Sequence, residues 1–234
     1  MRTRTILAAL TIIAIYTSAY ADRRNYVWTY QYITMPKGVT EMEFYQTTKF
    51  RDTDLWEYWV EIEQGLTERW DFSVYQIFKQ SERGALSWDA VKFRTRYRFG
   101  EEGMYLLDPL LYLEYKRKID SQKQNKFEGK LILAKTVSRF NLAINPVYEF
   151  YFAPDSKHEV GLDVGMSWEF HPAFILGVES TSRIEFEETT SVGSYLGPTL
   201  SFASGQWWYS IGAVLGLTAD SDVARVRFLM GVAL

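Results

Sequence analysis

Apolar and polar side chains alternate along this chain from about residue 39 to its end. In one stretch, Trp56, Tyr58 and Val60 alternate with Glu57 and Glu61. Successive side chains of a strand point to opposite faces, so each such stretch has one apolar face and one charged face. The charged face is too polar for a protein core, and the apolar face is too long and aromatic to lie in water. The pattern therefore predicts an all-β, antiparallel transmembrane barrel of the outer-membrane type, with lipid outside and a polar lumen inside.

The alternation divides into about twelve stretches of about 10 to 13 residues, the length that a tilted strand needs to cross a bilayer. The connections alternate between polar loops, such as residues 119–126, and short turns, such as residues 138–139, with residues 100–108 as one longer turn. Long external loops and short periplasmic turns are typical of bacterial barrels, and an even strand number places both barrel ends in the periplasm. The predicted strands are residues 39–50, 55–65, 70–80, 87–99, 109–118, 127–137, 140–152, 158–170, 174–186, 194–203, 206–217 and 223–234.

The first 21 residues have the pattern of a secretory signal peptide. Arg2 and Arg4 precede an apolar run over residues 6–15, and small residues lead to Ala21. The run is shorter than the ~18 residues that a membrane-spanning helix needs. We therefore predict cleavage after Ala21, export, and a mature chain in the bacterial outer membrane of a Gram-negative cell.

Residues 22–38 lie between the predicted signal peptide, residues 1–21, and the predicted transmembrane barrel, residues 39–234. Aromatic side chains recur at every second position from Tyr26 to Tyr32, and a turn follows before the barrel. Counting this stretch as a thirteenth strand would place the N-terminus outside. We expect it to lie in the periplasm or inside the lumen, with a short additional strand as the alternative.

Composition narrows the function classes. The formal net charge of −3 becomes −5 when the two positive charges of Arg2 and Arg4 are removed. This acidic balance argues against a nucleic-acid partner. The absence of Cys excludes disulfides and thiolate chemistry, and the 17% aromatic content is expected of the aromatic girdles of a barrel.

Two parts of the chain resemble porin-like bacterial outer-membrane proteins. Residues 226–234 carry apolar side chains at alternate positions to the end, which is similar to the terminal strand of such barrels, with Leu234 in place of the usual aromatic residue. Residues 35–43, with their Pro-Lys-Gly turn, and residues 61–70, with Gly-Leu-Thr, are similar to the opening of many porin-like proteins. Outer-membrane lipid, lipopolysaccharide, the barrel-assembly machinery and small polar solutes are therefore the expected partners.

Strand parity turns two groups of charged side chains toward the predicted lumen. Because closure brings the last strand beside the first, Arg225 and Arg227 are expected to face Glu41 and Glu43. The first group, named the basic rail, comprises Lys92, Arg94, Arg96, Arg98, Lys116, Lys118, Arg225 and Arg227. The second, named the acidic wall, comprises Glu41, Glu43, Glu57, Glu61 and Glu63.

The two groups predict a porin-like channel for passive transfer of small polar or charged solutes, because opposed charges create a transverse field that selects charged solutes. The alternative is a structural or adhesive barrel whose lumen is filled by salt bridges. Twelve strands lie between filled eight-stranded barrels and open sixteen-stranded ones, so either is consistent. Small inward side chains such as Ser210 and Gly212 leave room for the passage or for the N-terminal stretch.

An enzyme is not expected. The two histidines, His158 and His171, lie at strand ends, and no Ser nucleophile is placed beside either of them. They are also too far apart in the predicted topology to share a metal ion, so no metal site and no cofactor is expected.

Overall fold

The computed structural model describes residues 23–51, 54–152, 157–186 and 190–234. Within these residues, twelve antiparallel strands form one closed barrel, in which sequence neighbours pair and the last strand pairs with the first. The predicted all-β barrel is confirmed, and the largest difference in strand bounds is the start of the tenth strand at Ser191 rather than residue 194. The strands are β1 (Thr40–Phe50), β2 (Leu55–Thr67), β3 (Trp70–Ser81), β4 (Ser87–Arg98), β5 (Asp108–Lys118), β6 (Asn125–Val137), β7 (Phe140–Phe152), β8 (Lys157–His171), β9 (Phe174–Phe186), β10 (Ser191–Ser204), β11 (Trp207–Gly216) and β12 (Ala224–Ala233).

The barrel has two different rims. Connections such as residues 138–139 and 205–206 lie at one rim, which we name the short-turn rim. The two ends of the barrel also meet there, where the N–H of Leu234 donates to the carbonyl of Thr40 at 2.9 Å. Longer connections such as residues 119–124 lie at the opposite rim, which we name the long-loop rim.

The outer surface of the barrel is apolar and carries aromatic rings near the short-turn rim. Rings of neighbouring strands contact one another, with centroid distances of 6.1 Å for Phe140 and Trp168, and 4.6 Å for Phe202 and Tyr209. Such a girdle positions a barrel at a membrane interface. Within the described residues, no helix is long and apolar enough to cross a membrane.

A β-bulge explains the position of Asp89, which strict alternation along β4 would place on the outer face. The register of β3 with β4 shifts between Ile77 and Phe78, which leaves Asp89 as the extra residue of β4. The Asp89 carboxylate pairs with the Nζ atom of Lys118 at 2.8 Å. The extra residue changes the phase of β4, as bulges generally do.

Residues 23–38, which we name the N-terminal segment, contain no strand, and they lie inside the barrel as far as Met35. Tyr26 and Met35 are completely buried, and Val27 is nearly so. The additional strand that was the alternative is therefore not present in these residues. The predicted signal peptide lies outside the described residues.

Candidate functional site: the lumen

The N-terminal segment enters and leaves the lumen at the short-turn rim. Arg23 forms a salt bridge with Glu169 at 3.0 Å at the point where the segment enters. The segment leaves where the N–H of Gly38 donates to the carbonyl of Gly65 at 2.9 Å. Residues 27–30 therefore form the apex of a hairpin-like path that reaches the middle of the barrel.

One carboxylate on β9 holds this apex. The backbone N–H groups of Val27, Trp28 and Thr29 donate to the Glu179 carboxylate at 2.7, 2.8 and 2.7 Å. Glu179 is 1% exposed, and no cation of the described residues lies within salt-bridge distance. A buried carboxylate without a cation is costly unless hydrogen bonds compensate, and three amide donors supply that compensation.

Two asparagines of β7, which only β8 separates from β9, also hold the segment. The Asn145 side chain accepts from the N–H of Tyr30 at 2.7 Å and donates to the carbonyl of Tyr30 at 3.0 Å. The Tyr26 hydroxyl donates to Asn141 Oδ1 at 2.9 Å. Because an asparagine side chain carries both an amide NH₂ donor group and a carbonyl oxygen acceptor, Asn145 satisfies a backbone peptide as a neighbouring strand would.

Small residues of β11 make room for the segment. A Cβ atom added at Gly212 would lie 2.5 Å from Val27 Cγ2 and 3.0 Å from the Trp28 ring. Ser210 donates its hydroxyl to the carbonyl of Arg24 at 2.8 Å. Of the two interpretations of this small-residue surface, the structure supports the N-terminal segment rather than an open passage.

The segment also packs against apolar side chains that face the lumen. Charge patterning alone did not predict them, and they form a packed core around the segment. One cluster comprises Tyr26, Tyr30, Tyr32, Leu110, Tyr112, Ile132, Ala134 and Ala143, and the other comprises Val27, Tyr45, Tyr75, Ile77, Ala90, Trp208 and Leu229.

Tyr30 lies at the apex among cations. The Arg24 guanidinium carbon is 4.1 Å from the centroid of the Tyr30 ring, and that of Arg94 is 5.9 Å away. Burial raises the pKa of the Tyr30 hydroxyl, but the positive charges of Arg24, Arg94 and nearby lysines outweigh it and lower this pKa to about 8.

The basic rail and the acidic wall meet directly in the short-turn half. Arg94 pairs with Glu61 at 2.9 Å and also with Glu63, while Arg96 pairs with Glu63 and, at 2.7 Å, with Asp71. These side chains are at most 2% exposed, and we name them the buried ion cluster. Since β3 alone separates β2 from β4, the two groups are neighbours rather than opposing walls, which corrects the predicted arrangement. Within this cluster two arginines meet three carboxylates, so Arg94 and Arg96 supply no positive side to a transverse field.

Three carboxylates in this region could be suspected of binding a metal ion. Oxygen atoms of Glu43, Glu61 and Glu63 lie within 4.8 Å of one another. However, the Tyr45 hydroxyl lies 2.6 Å from both Glu43 and Glu61, and Arg94 pairs with both Glu61 and Glu63. The group is therefore a hydrogen-bonded and ion-paired cluster, and it makes no case for a metal centre.

The expectation that Arg225 and Arg227 face Glu41 and Glu43 is wrong. In the register of β1 with β12, Glu41 lies opposite Ala233, at the short-turn rim. Because these strands are antiparallel and the barrel ends meet at that rim, the two arginines lie near the opposite end of the pair.

Both arginines instead find partners toward the long-loop rim. Arg225 pairs with Asp222 at 2.5 Å. Arg227 donates from Nε to Thr47 Oγ1 at 2.8 Å and from one terminal nitrogen to the carbonyl of Val27 at 3.2 Å. Arg227 thus contacts the apex of the N-terminal segment. Other predicted site residues have these partners: Lys92 with Glu114 (2.9 Å), Arg98 with Thr34 (2.9 Å), Lys118 with Asp89 (2.8 Å) and Glu41 with Trp208 (2.9 Å).

The long-loop half of the lumen contains a cavity of about 420 Å³, which we name the charged vestibule. Trp28 and Tyr30 of the apex line it at its inner end. Its lining on β12 and β1–β5, which we name the cationic wall, has more cations than carboxylates, and its lining on β6–β9 has the reverse. The cationic wall has Lys49, Lys79, Lys92, Lys116, Arg225 and Arg227 with Glu57 and Glu114, and the other side has Glu128, Glu149, Glu159, Asp163 and Glu185 with Lys126, Lys130 and Arg183.

A second cavity of about 720 Å³ lies at the short-turn rim. Arg23, Gln31 and Tyr32 of the segment line it, together with turns of the rim, and it shares no lining residue with the charged vestibule. Between the two lie the buried Tyr26 and Val27. The N-terminal segment therefore separates two vestibules of one lumen.

Sequence reasoning missed the residues that hold the segment, above all Glu179, Asn145 and Asn141. The sequence did contain a signal for them. An inward-facing polar side chain that has no oppositely charged neighbour needs another buried hydrogen-bond partner. The amides of an aromatic stretch with no strand of its own are such partners. The pairing itself joins residues more than a hundred positions apart, at 152 for Val27 and Glu179, and no local pattern gives it.

Comparison of the sequence with known proteins identifies one family. The sequence profile of a family described as "Family of unknown function (DUF6662)" matches residues 103–223. A comparison with curated proteins gives no match.

Several solved structures share the fold. The COG4313 outer membrane channel from Pseudomonas putida F1 has a TM-score of 0.68 and 9% identity, over 89% of this chain and 100% of that one. The KdgM porin in complex with disordered oligogalacturonate has a TM-score of 0.61 and 10% identity, over 83% of this chain and 99% of that one. The NanC porin has a TM-score of 0.56 and 10% identity, over 83% of this chain and 98% of that one. At these identities the likeness shows the fold, that of outer-membrane channels and porins.

Proposed function

Because the chain belongs to DUF6662, a family of unknown function, we propose its function from the lumen: it is a porin-like outer-membrane channel for passive transfer of small charged solutes. The observation that carries the proposal is the charged vestibule, whose two sides bear opposite excess charge. Opposed charges in a narrow lumen create a field that orients and selects charged solutes. Their potential extends about 8 to 10 Å at physiological salt.

Not all residues of the basic rail contribute to this field, although the sequence predicted that they would. Arg94 and Arg96 are neutralised in the buried ion cluster. The excess positive charge lies instead on the cationic wall, where Lys49 and Lys79 share Glu57. Selectivity should therefore depend on the long-loop half of the lumen.

The N-terminal segment closes the short-turn half, so transfer requires that the segment move. The segment contributes no strand, and its displacement would leave every interstrand hydrogen bond of the barrel in place. It is held at the rim by Arg23 and at the apex by Glu179, through hydrogen bonds and a salt bridge that water can replace. We propose that these contacts set how often the channel opens.

The same proposal covers location and partners. The apolar outer surface and its aromatic girdle suit a bilayer, and the fold is shared with outer-membrane channels. We propose that the chain is exported through its signal peptide and inserted into the outer membrane by the barrel-assembly machinery. There it contacts lipid and lipopolysaccharide, and it acts without catalysis or cofactor.

Planar-bilayer recordings test the channel. We expect small, intermittent currents from the wild type and larger, steadier currents after deletion of residues 23–34, because the deletion removes the apex. Replacing Lys49 and Lys79 together by Gln should shift the reversal potential toward cations in a salt gradient, and the shift should fade as salt rises. Lys123→Gln is the matched control, because Lys123 lies on an external loop, 59% exposed.

The competing function is a structural barrel with a filled lumen. The buried ion cluster and the packed N-terminal segment favour it, because together they fill the short-turn half. If neither the wild type nor the deletion variant passes current at any voltage, while both remain folded by heat-modifiable gel migration, the channel proposal fails and the structural one stands.

A further inference from the structure

We propose that the cationic wall of the charged vestibule contains a binding site for small organic anions that carry carboxylate or phosphate groups. Lys49, Lys79, Lys116 and Arg227 build the site around a single carboxylate, that of Glu57. The inference rests on the proposed channel and deepens it, since it names the class of solute and the residues that bind it.

Glu57 is shared by more cations than it can neutralise. The Nζ atoms of Lys49 and Lys79 lie 2.8 and 3.3 Å from the same oxygen of Glu57, whose side chain is 6% exposed. Lys79 also approaches Asp89 at 3.8 Å, but Lys118 already pairs with that carboxylate at 2.8 Å. The lysines on this side of the cavity therefore exceed the carboxylates available to them.

Two further cations add to the excess. Lys116 lines the vestibule and forms no ion pair with any residue that the structure describes. Within the same residues, Arg227 has no carboxylate partner either, and its guanidinium donates to the neutral oxygen atoms of Thr47 and Val27. Uncompensated positive charges that converge on one cavity favour an anion at its centre.

Aromatic rings form the inner side of this site. The Arg227 guanidinium carbon lies 5.0 Å from the centroid of the Trp59 ring and 5.6 Å from that of Trp28. The Nζ atom of Lys92 lies 4.4 Å from the Trp59 ring. Ring faces accept the carbon skeleton of a ligand while the cations bind its oxygen atoms, so the site suits an organic anion better than a halide ion.

A solute can reach these residues. The side chains of Lys49 and Lys79 are 23% and 26% exposed, whereas those of Arg94 and Arg96 in the buried ion cluster are at most 2% exposed. Cations that water reaches inside a cavity can exchange water for ligand oxygen atoms, and fully paired buried cations cannot. This difference places the site in the long-loop half.

Isothermal titration calorimetry of the full chain in detergent, with citrate and with inorganic phosphate at low salt, tests the site. We expect binding that weakens as NaCl is added. Lys116→Gln should weaken it by about tenfold, and Glu57→Gln should strengthen it by a similar factor, because each removes one unit charge a few ångströms from the ligand. Lys123→Gln, with the same charge change in a loop outside the vestibule, should leave it unchanged.

The opposite signs of the two variants separate binding from misfolding, since a damaged barrel would weaken binding in both. The site is disproved if neither citrate nor phosphate binds the wild type, or if Lys116→Gln behaves like Lys123→Gln. Failure of the channel is distinct: binding without any current would retain the site and reject transfer, whereas current without binding would retain the channel and reject the site.

Discussion

The two halves of this lumen are built from the same residue types and differ in what those residues do. In the short-turn half, Arg94 and Arg96 have three carboxylate partners, and the N-terminal segment excludes water from them. In the long-loop half, Lys49 and Lys79 share Glu57, and a cavity remains. The balance of cations and carboxylates, together with the presence of the segment, decides whether inward charges are buried in ion pairs or remain beside a cavity.

The comparison also shows why inward charge is a poor guide to a pore. A buried ion pair is costly to form and costly to disrupt, but it has little field outside itself. A partly paired group beside water retains its field. The residues of the basic rail therefore divide between a structural role and a proposed functional one.

The largest effect on stability should come from a substitution in the buried ion cluster. Glu63→Gln removes a carboxylate from both Arg94 and Arg96, and it should lower the free energy of unfolding by about 3–5 kcal/mol. Lys49→Gln, in the long-loop half, should cost about 0–1 kcal/mol because that side chain is partly solvated. Urea titration of the refolded barrel in detergent measures both. Equal losses would show that the two halves are equally paired.

Release of the segment should have an intermediate effect. Glu179→Gln replaces the carboxylate that accepts from three apex amides, and it should weaken attachment of the segment by about 2–3 kcal/mol. Limited proteolysis should then cut the chain near Trp28, and currents should approach those of the deletion variant.

Glu159→Gln is the control for Glu179→Gln. Glu159 lines the charged vestibule and pairs with Arg183 at 3.6 Å rather than with the segment. Protection of the segment against proteolysis should be unchanged in this variant. If the segment also stays protected against proteolysis in Glu179→Gln, the apolar clusters alone hold it.

The smallest effect on stability should come from alanine substitution of glycines that line the two halves of the lumen. Gly212→Ala places a methyl group 2.5 Å from Val27 and should cost about 1–2 kcal/mol through overpacking. Gly193→Ala, where the nearest side-chain atom is 3.8 Å away, should change stability by less than about 0.5 kcal/mol. Thermal unfolding followed by circular dichroism compares them, and equal midpoints would contradict tight packing at the apex.

The strands and the lipid-facing surface could be predicted from the sequence because they depend on local information. A period of two and a stretch length suited to a bilayer are properties of neighbouring residues, and they identified β9 at residues 174–186 with its observed bounds. They also identified the inward positions of Arg94, Lys116 and Glu57, since parity within one strand determines the face.

The hydrogen-bond and ion-pair partners of those residues could not be predicted in the same way, because closure of a barrel joins distant parts of the chain. The register of β12 on β1 moved Arg225 away from Glu41. The position of the N-terminal segment depends on Glu179, which lies 152 residues from Val27. Alternation specifies the face on which a charge lies, but the register across strands and the filling of the lumen determine whether a partner meets it there, and those are properties of the closed barrel.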